Sequence, residues 1–181
     1  MQAVSLFFLT RRFCWCIISV DEGEEESAMK SFFVYEMEYA GSPAEQSNIQ
    51  PIPFCRELYP QYRLIYNECF REMRTALDIM PYDCCPGEEQ LLAKRDSIFL
   101  LTENDSIIGS VTCCGTEIDD LIVSRKFRRQ GYGRELLLWA VSHIREQTCS
   151  PVTLHVAEWN EHAVKLYRRS VFVITKKTRI N

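Results

Sequence analysis

Apolar and polar positions alternate with period two from Ser31 to Tyr39, where Phe33, Tyr35 and Met37 stand against Val34, Glu36 and Glu38. That pattern predicts a strand. From Pro60 to Met80 the period lengthens, with Tyr62, Ile65, Tyr66, Cys69, Phe70 and Met73 recurring at three and four, which predicts a long helix. Between them, 41–50 reads as a polar loop, and 49–53 as an edge strand, because Pro51 and Pro53 bar it from a sheet centre. A loop holding Pro86-Gly87 leads to a short helix over 88–94. Strands follow at 97–102 and 106–114, joined by an Asn104-Asp105 turn, and then at 117–124. A helix over 130–147 carries Gly133, Leu136, Leu137, Ala140, Val141 and Ile144 on one face. The chain continues with a strand at 151–156, a helix at 160–169 and a last strand at 171–177. A strand–helix–strand run after Glu117 calls for a right-handed crossover and a parallel pair. The expected class is α/β (α+β), with a mixed, mostly antiparallel sheet flanked by helices.

Residues 1–28 do not conform to this pattern. Their apolar stretch is cut by Arg11-Arg12, too short to span a bilayer, and is followed by the acidic run Asp21 to Glu26. The expectation is a single domain over 29–181 with translation starting at Met29. The codons of Glu24-Glu25-Glu26 would then supply a ribosome-binding sequence. A weak targeting or membrane segment is the competing account, and mass spectrometry of the native N-terminus separates the two.

The chain of 181 residues is long enough for one domain with a full core. Its net charge of −4 conceals an asymmetry: 1–120 holds 9 basic and 21 acidic side chains, 121–181 holds 12 and 4. A basic C-terminal third suits a polyanionic cofactor, and an acidic remainder suits a cationic, amine-bearing substrate. Nucleic-acid binding is disfavoured, because the basic residues cluster on one loop without interleaved aromatics. The nine cysteines include no C-x-x-C, so neither a zinc site nor a thioredoxin-like motif is supported, and no metal is expected. They fit small apolar residues in a reducing cytoplasm, with no membrane role.

The chemistry centres on Asp119–Glu135. An apolar strand, Leu121-Ile122-Val123, runs into a basic loop and then R-x-x-G-x-G, formed by Arg128, Gly131 and Gly133 at the start of a helix. Glycine lets a ligand approach the backbone, and the first helical amides with the positive dipole end make an anion site. There is no Walker pattern, and Leu136 occupies the third glycine position of a dinucleotide fingerprint. A second motif follows, Asn160-x-x-Ala163-x-x-Leu166-Tyr167, in which Asn160 suits a helix N-cap and Tyr167 lies two turns on. Together these motifs resemble the GCN5-related N-acetyltransferase (GNAT) family, most specifically from Glu117 to Phe172.

The resemblance implies that acetyl-CoA is held by Leu121, Ile122, Val123, Arg128, Arg129, Gln130, Gly131, Tyr132, Gly133, Arg134, Asn160, Ala163 and Tyr167. It implies direct transfer of acetyl to a primary amine of a small molecule or peptide. Tyr167 would protonate the leaving thiolate, and strand amides near Ile122 and Val123 would receive the oxyanion. The general base stays open: Glu117 is favoured, with Glu158 or Asp119 next and His155 a further option. By strand parity, Glu117 and Asp119 share one face and Asp120 takes the other. Residues 65–70 resemble the family's first helix, which borders the acceptor, so Tyr66, Glu68 and Phe70 are candidate substrate contacts. The same fold could instead bind an acyl-CoA without catalysis. Oligomeric state is open between monomer and homodimer.

Two departures from the family pattern stand out. Val171 replaces the glycine expected before Phe172, so the preceding helix is expected to end without a left-handed cap. The chain also leaves no room for the family's final strand, and Ser31–Tyr39, from the same chain or a partner, is the candidate to cover the exposed edge.

Overall fold

A computed structural model describes residues 31–41 and 47–180; the N-terminal extension and the expected start at Met29 lie outside the described residues. The strands are β1 (Phe32–Tyr39), β2 (Ile52–Pro53), β3 (Ile98–Glu103), β4 (Ser106–Cys114), β5 (Glu117–Ile118), β6 (Ile122–Val123), β7 (Thr153–Ala157) and β8 (Phe172–Ile180). The α-helices are α1 (Tyr59–Leu77), α2 (Glu88–Leu92), α3 (Tyr132–Gln147) and α4 (Glu161–Arg169). The strands form one sheet in the order β2-β3-β4-β5-β7-β1-β8, with β6 beside β4. β5 and β7 are the parallel pair, joined by the α3 crossover, and the other pairings are antiparallel.

Both faces of the sheet are buried, and the period-two pattern of β1 shows how. Met37 and Tyr39 join α3, α4, Leu154 and Val156 on one face. Phe32 and Val34 join α1, Leu91 and Ile107 on the other. The rings of Phe54, Tyr62, Tyr66 and Phe70 run along α1 with successive centroids 5.3, 5.6 and 4.7 Å apart. Tyr62, Tyr66 and Phe70 lie four residues apart, so the ladder follows directly from helical spacing.

β1 covers the strand that the chain would otherwise leave exposed, and it comes from the same chain. It sits inside the sheet rather than at its rim, pairing Val34–Glu38 with β7 and Phe32–Tyr39 with β8. β8 is therefore the outer strand, and its solvent side is lined with exposed Lys176, Lys177 and Arg179, charges that discourage edge-to-edge pairing.

Val171 corrects a sequence expectation. It takes the left-handed conformation itself, at φ 66°, despite its branched side chain. Its N–H donates to the Arg168 carbonyl (3.3 Å) and its carbonyl accepts from Ala40 N–H (2.9 Å). Phe172 packs against Tyr167, with ring centroids 6.0 Å apart. This is the contact that accompanies a Schellman-type helix end. Hydrogen bonding and ring packing on both sides hold Val171 in a conformation its side chain disfavours.

Candidate active site

The strand expected over 117–124 is interrupted. β4 pairs Cys113 with Ile118 and Ser110 with Ile122, so the register slips by one residue between them. This bulge shifts the side-chain phase: Ile118 and Leu121, three apart, both pack on the α3 face. Asp119 and Asp120 fall within the shift. Asp120 does not turn away from the α1 side, as parity implied, but accepts a 2.7 Å hydrogen bond from Tyr66 of α1. The bulge also separates the parallel strands. β5 stays with β7, whereas β6 pairs only with β4 among the described residues, so no ladder joins β6 to the end of β7.

Gly109 and Gly131 make this geometry feasible. A Cβ on Gly109 would stand 2.4 Å from the Ile122 carbonyl oxygen and 2.9 Å from Leu136 Cδ1, so only glycine lets β4 take both β6 and α3 so close. Gly131, at φ 92°, makes the turn into α3, and a Cβ there would meet nothing within 4 Å. The helical ladder starts when Arg134 and Glu135 N–H donate to the Gly131 carbonyl (2.9 and 3.1 Å). The amides of Tyr132 and Gly133 thus precede the ladder and lie at the positive pole of the α3 dipole. Arg125, Lys126, Arg128, Arg129 and Gln130 are exposed around that pole, and Arg134 is half-buried in the first turn. Arg128 folds back, its Nε donating to the Val123 carbonyl (3.1 Å) and its Nη2 to Cys69 Sγ (3.4 Å).

Asn160 caps α4, its Oδ1 accepting from Ala163 N–H (3.1 Å). Two turns later Tyr167 is 8% exposed within the α3–α4 cluster. Burial, with the charges of Asp119 and Asp120, pushes its hydroxyl well above the ordinary tyrosine range, so it keeps its proton. Burial, then the charge of Glu117, pushes Asp119 up to about 6. Burial, then the charge of Asp119, pushes Asp120 up to about 8, against the Tyr66 hydrogen bond that favours its ionised form. The bulge thus brings two carboxyls within electrostatic reach of Tyr167.

The other candidates divide. Glu117 Oε1 lies 2.6 Å from His155 Nδ1. Glu158 is held by the Tyr35 hydroxyl and by Lys177 Nζ (2.8 Å), and Lys177 followed by Tyr35 lowers its pKa. Phe70 packs against the buried Tyr66 with the rings tilted by 47°, whereas Glu68 turns toward the basic loop, 3.5 Å from Arg125. Sequence reasoning missed the role of Cys69, which meets both Arg128 and the Val123 carbonyl (3.5 Å). It also missed Asn67, whose Oδ1 accepts from Cys84 and Cys85 N–H (2.9 and 2.8 Å) and moors the loop after α1. Only the fold brings these partners together.

The break between β6 and β7, followed by the glycine-bounded N-terminus of α3, lies within the stretch that a family model recognises. The family model for the acetyltransferase (GNAT) family matches residues 59–171, and the chain belongs to that family. Solved structures agree in fold. An acetyltransferase of the GNAT family from Colwellia psychrerythraea shares 14% identity at a TM-score of 0.63, covering 82% of this chain and 55% of its own. A GNAT-family structure from Novosphingobium aromaticivorans shares 10% at 0.62, covering 83% and 63%. The PaiA N-acetyltransferase of Thermoplasma acidophilum, solved with coenzyme A, shares 14% at 0.55, covering 67% and 87%. The chain thus spans little more than half the length of the first of these relatives and less than two thirds of the second. No curated protein matches it. Among the described residues no helix is long and apolar enough to cross a membrane, and no cluster of side chains could hold a metal.

Proposed function

We propose that the protein transfers acetyl from acetyl-CoA directly to a primary amine. The observation that supports this reading is the break in the ladder between β6 and β7, followed by the glycine-bounded N-terminus of α3 and preceded by the carboxyls of the bulge. The amides around Gly131–Gly133 and the surrounding arginines would take the pyrophosphate. Leu121–Val123 would line the pantetheine arm, with Arg128 leaving the Val123 carbonyl for phosphate, and Asn160 and Ala163 would flank the arm from α4. Acetyl-CoA supplies an activated thioester carbonyl.

An alkylamine titrates near ~10, so it arrives as ammonium and must lose a proton before attack. The Asp119 carboxyl and the partly buried Phe70 ring suit a cation with an apolar body, whereas Tyr66 is buried in the core behind them. Glu117 accepts the first proton, strand amides near Ile122 receive the oxyanion, and Tyr167 protonates the departing thiolate and regains a proton, by way of water, from the second N–H that the tetrahedral nitrogen gives up as it becomes the amide. The acceptor is a small-molecule or peptide amine, with no role for nucleic acid or membrane, and the cytoplasm is the expected compartment. Calorimetry with acetyl-CoA and CoA, followed by thiol release across a panel of primary amines, tests the reading. Micromolar binding that is lost in Gly131→Val supports it. Binding without turnover favours a non-catalytic acyl-CoA sensor, and no binding overturns both.

A further inference from the structure

Beside Glu117, the α1 face of the sheet carries two further side chains that this reaction scheme leaves unused. His155 stands on β7 directly opposite Glu36 of β1, the two being cross-strand partners. Its Nδ1 lies 2.6 Å from Glu117 Oε1, and its Nε2 lies 3.8 Å from Glu36 Oε2. The imidazole is only 10% exposed, whereas Glu117 and Glu36 are 26% and 40% exposed. An ionised carboxylate can only accept a hydrogen bond, so the Nδ1 that faces Glu117 must carry the hydrogen. The other ring nitrogen, Nε2, points to the Glu36 side at the longer distance. Asp119 is the further charged group within electrostatic reach of the ring.

We propose that His155 is the positioning residue for Glu117 in acetyl transfer, an inference that rests on the reading above. Nδ1–H holds Oε1 at 2.6 Å and so orients the carboxylate with Oε2 turned toward the acceptor. The acceptor nitrogen gives its proton to Oε2: an N–H bond breaks, an O–H bond forms, and the nitrogen lone pair is freed for the thioester carbon. After the amide product leaves, Glu117 passes that proton to water, while His155 keeps its own throughout. Glu36 backs the ring from the other side, so the N-terminal strand takes part in ordering the site.

The test is a double-mutant cycle on the full chain, reading acetyl-CoA-dependent thiol release with phenethylamine, a primary amine whose ring suits the partly buried Phe70. A hydrogen bond to a charged group is worth enough to predict a 10- to 100-fold fall in kcat for His155→Leu, roughly, with CoA affinity unchanged. His155→Gln, which keeps an N–H donor, should recover most of that loss. In a Glu117→Ala background, His155→Leu should cost almost nothing further. Additive losses, or equal losses in His155→Gln and His155→Leu, would overturn the proposal. Proton NMR of the free protein is independent of the acceptor: a downfield Nδ1–H resonance should be present, and absent in Glu117→Ala. If that resonance behaves as expected while no amine is acetylated, the acetyltransferase reading fails and the Glu117–His155 pair stands. If it is absent from the wild type, the pair itself is overturned.

Discussion

Replacing Val171 with glycine should stabilise the protein. Val171 sits at φ 66° and is 45% exposed. A Cβ in this region costs roughly 1–2 kcal/mol. Glycine removes that strain but makes the unfolded chain more flexible, which returns roughly 0.5–1 kcal/mol. Loss of a half-exposed side chain takes back a few tenths more, so the net gain is on the order of 0.5 kcal/mol. For a chain of this size that is a rise in Tm of about 1–2 °C. Val171→Ala separates the two contributions, since it trims the branch but keeps the Cβ. Urea and thermal unfolding should rank glycine above alanine by about 0.5–1 kcal/mol, the reverse of their order inside a helix. The hydrogen bonds of Ala40 and Val171 should persist in both variants, because they involve only backbone. If Val171→Gly melts at or below Val171→Ala, the left-handed strain is not present and the reasoning is refuted.

Three other expectations come from the site and the sheet. Asp120 is raised to about 8 when folded, so between its unfolded value and about 8 the folded state holds a proton that the unfolded state has lost. Stability relative to Asp120→Asn should therefore fall as pH rises through that window, by at most about 1.4 kcal/mol per unit; urea titrations with parallel pH dependence would contradict it. Tyr167→Phe should lower kcat by about 10²- to 10⁴-fold with CoA affinity intact, measured by thiol release and calorimetry; a large loss of affinity would assign the tyrosine to packing alone. Deleting 31–41 leaves the facing edges of β7 and β8 unpaired, and size-exclusion chromatography should show aggregation; a soluble deletion that still binds CoA would refute the interior placement of β1.

The parts of this molecule that were legible in the sequence are those governed by local periodicity. α1, α3 and α4 show their apolar faces at three and four, and the Asn160 cap and the Gly131 turn are chemical requirements of single positions. What escaped depends on contacts distant in sequence. No composition signal marks the bulge, since it arises from pairing with β4, and so parity misplaced Asp120. β1 was recognised as a strand, but its neighbours are set by sheet closure. Val171 defied its propensity because tertiary contacts on both sides outweigh a strain of about 1–2 kcal/mol. For the general base the sequence favours Glu117 over Glu158, Asp119 and His155 but shows none of their partners; Lys177 beside Glu158 and His155 beside Glu117 appear only in the fold.

The interior position of β1 sets a schedule for how the protein is made. Its partners on one side end at Ala157 and on the other at Ile180, more than a hundred residues later in the chain. At ordinary elongation rates a ribosome needs on the order of ten seconds to synthesise that interval. Throughout it Phe32-Phe33-Val34-Tyr35 has emerged, while the strands that will flank it have not yet been translated. The first strand of the domain out of the ribosome is thus among the last to be paired, and the nascent chain carries an apolar segment in need of shelter until synthesis is nearly over.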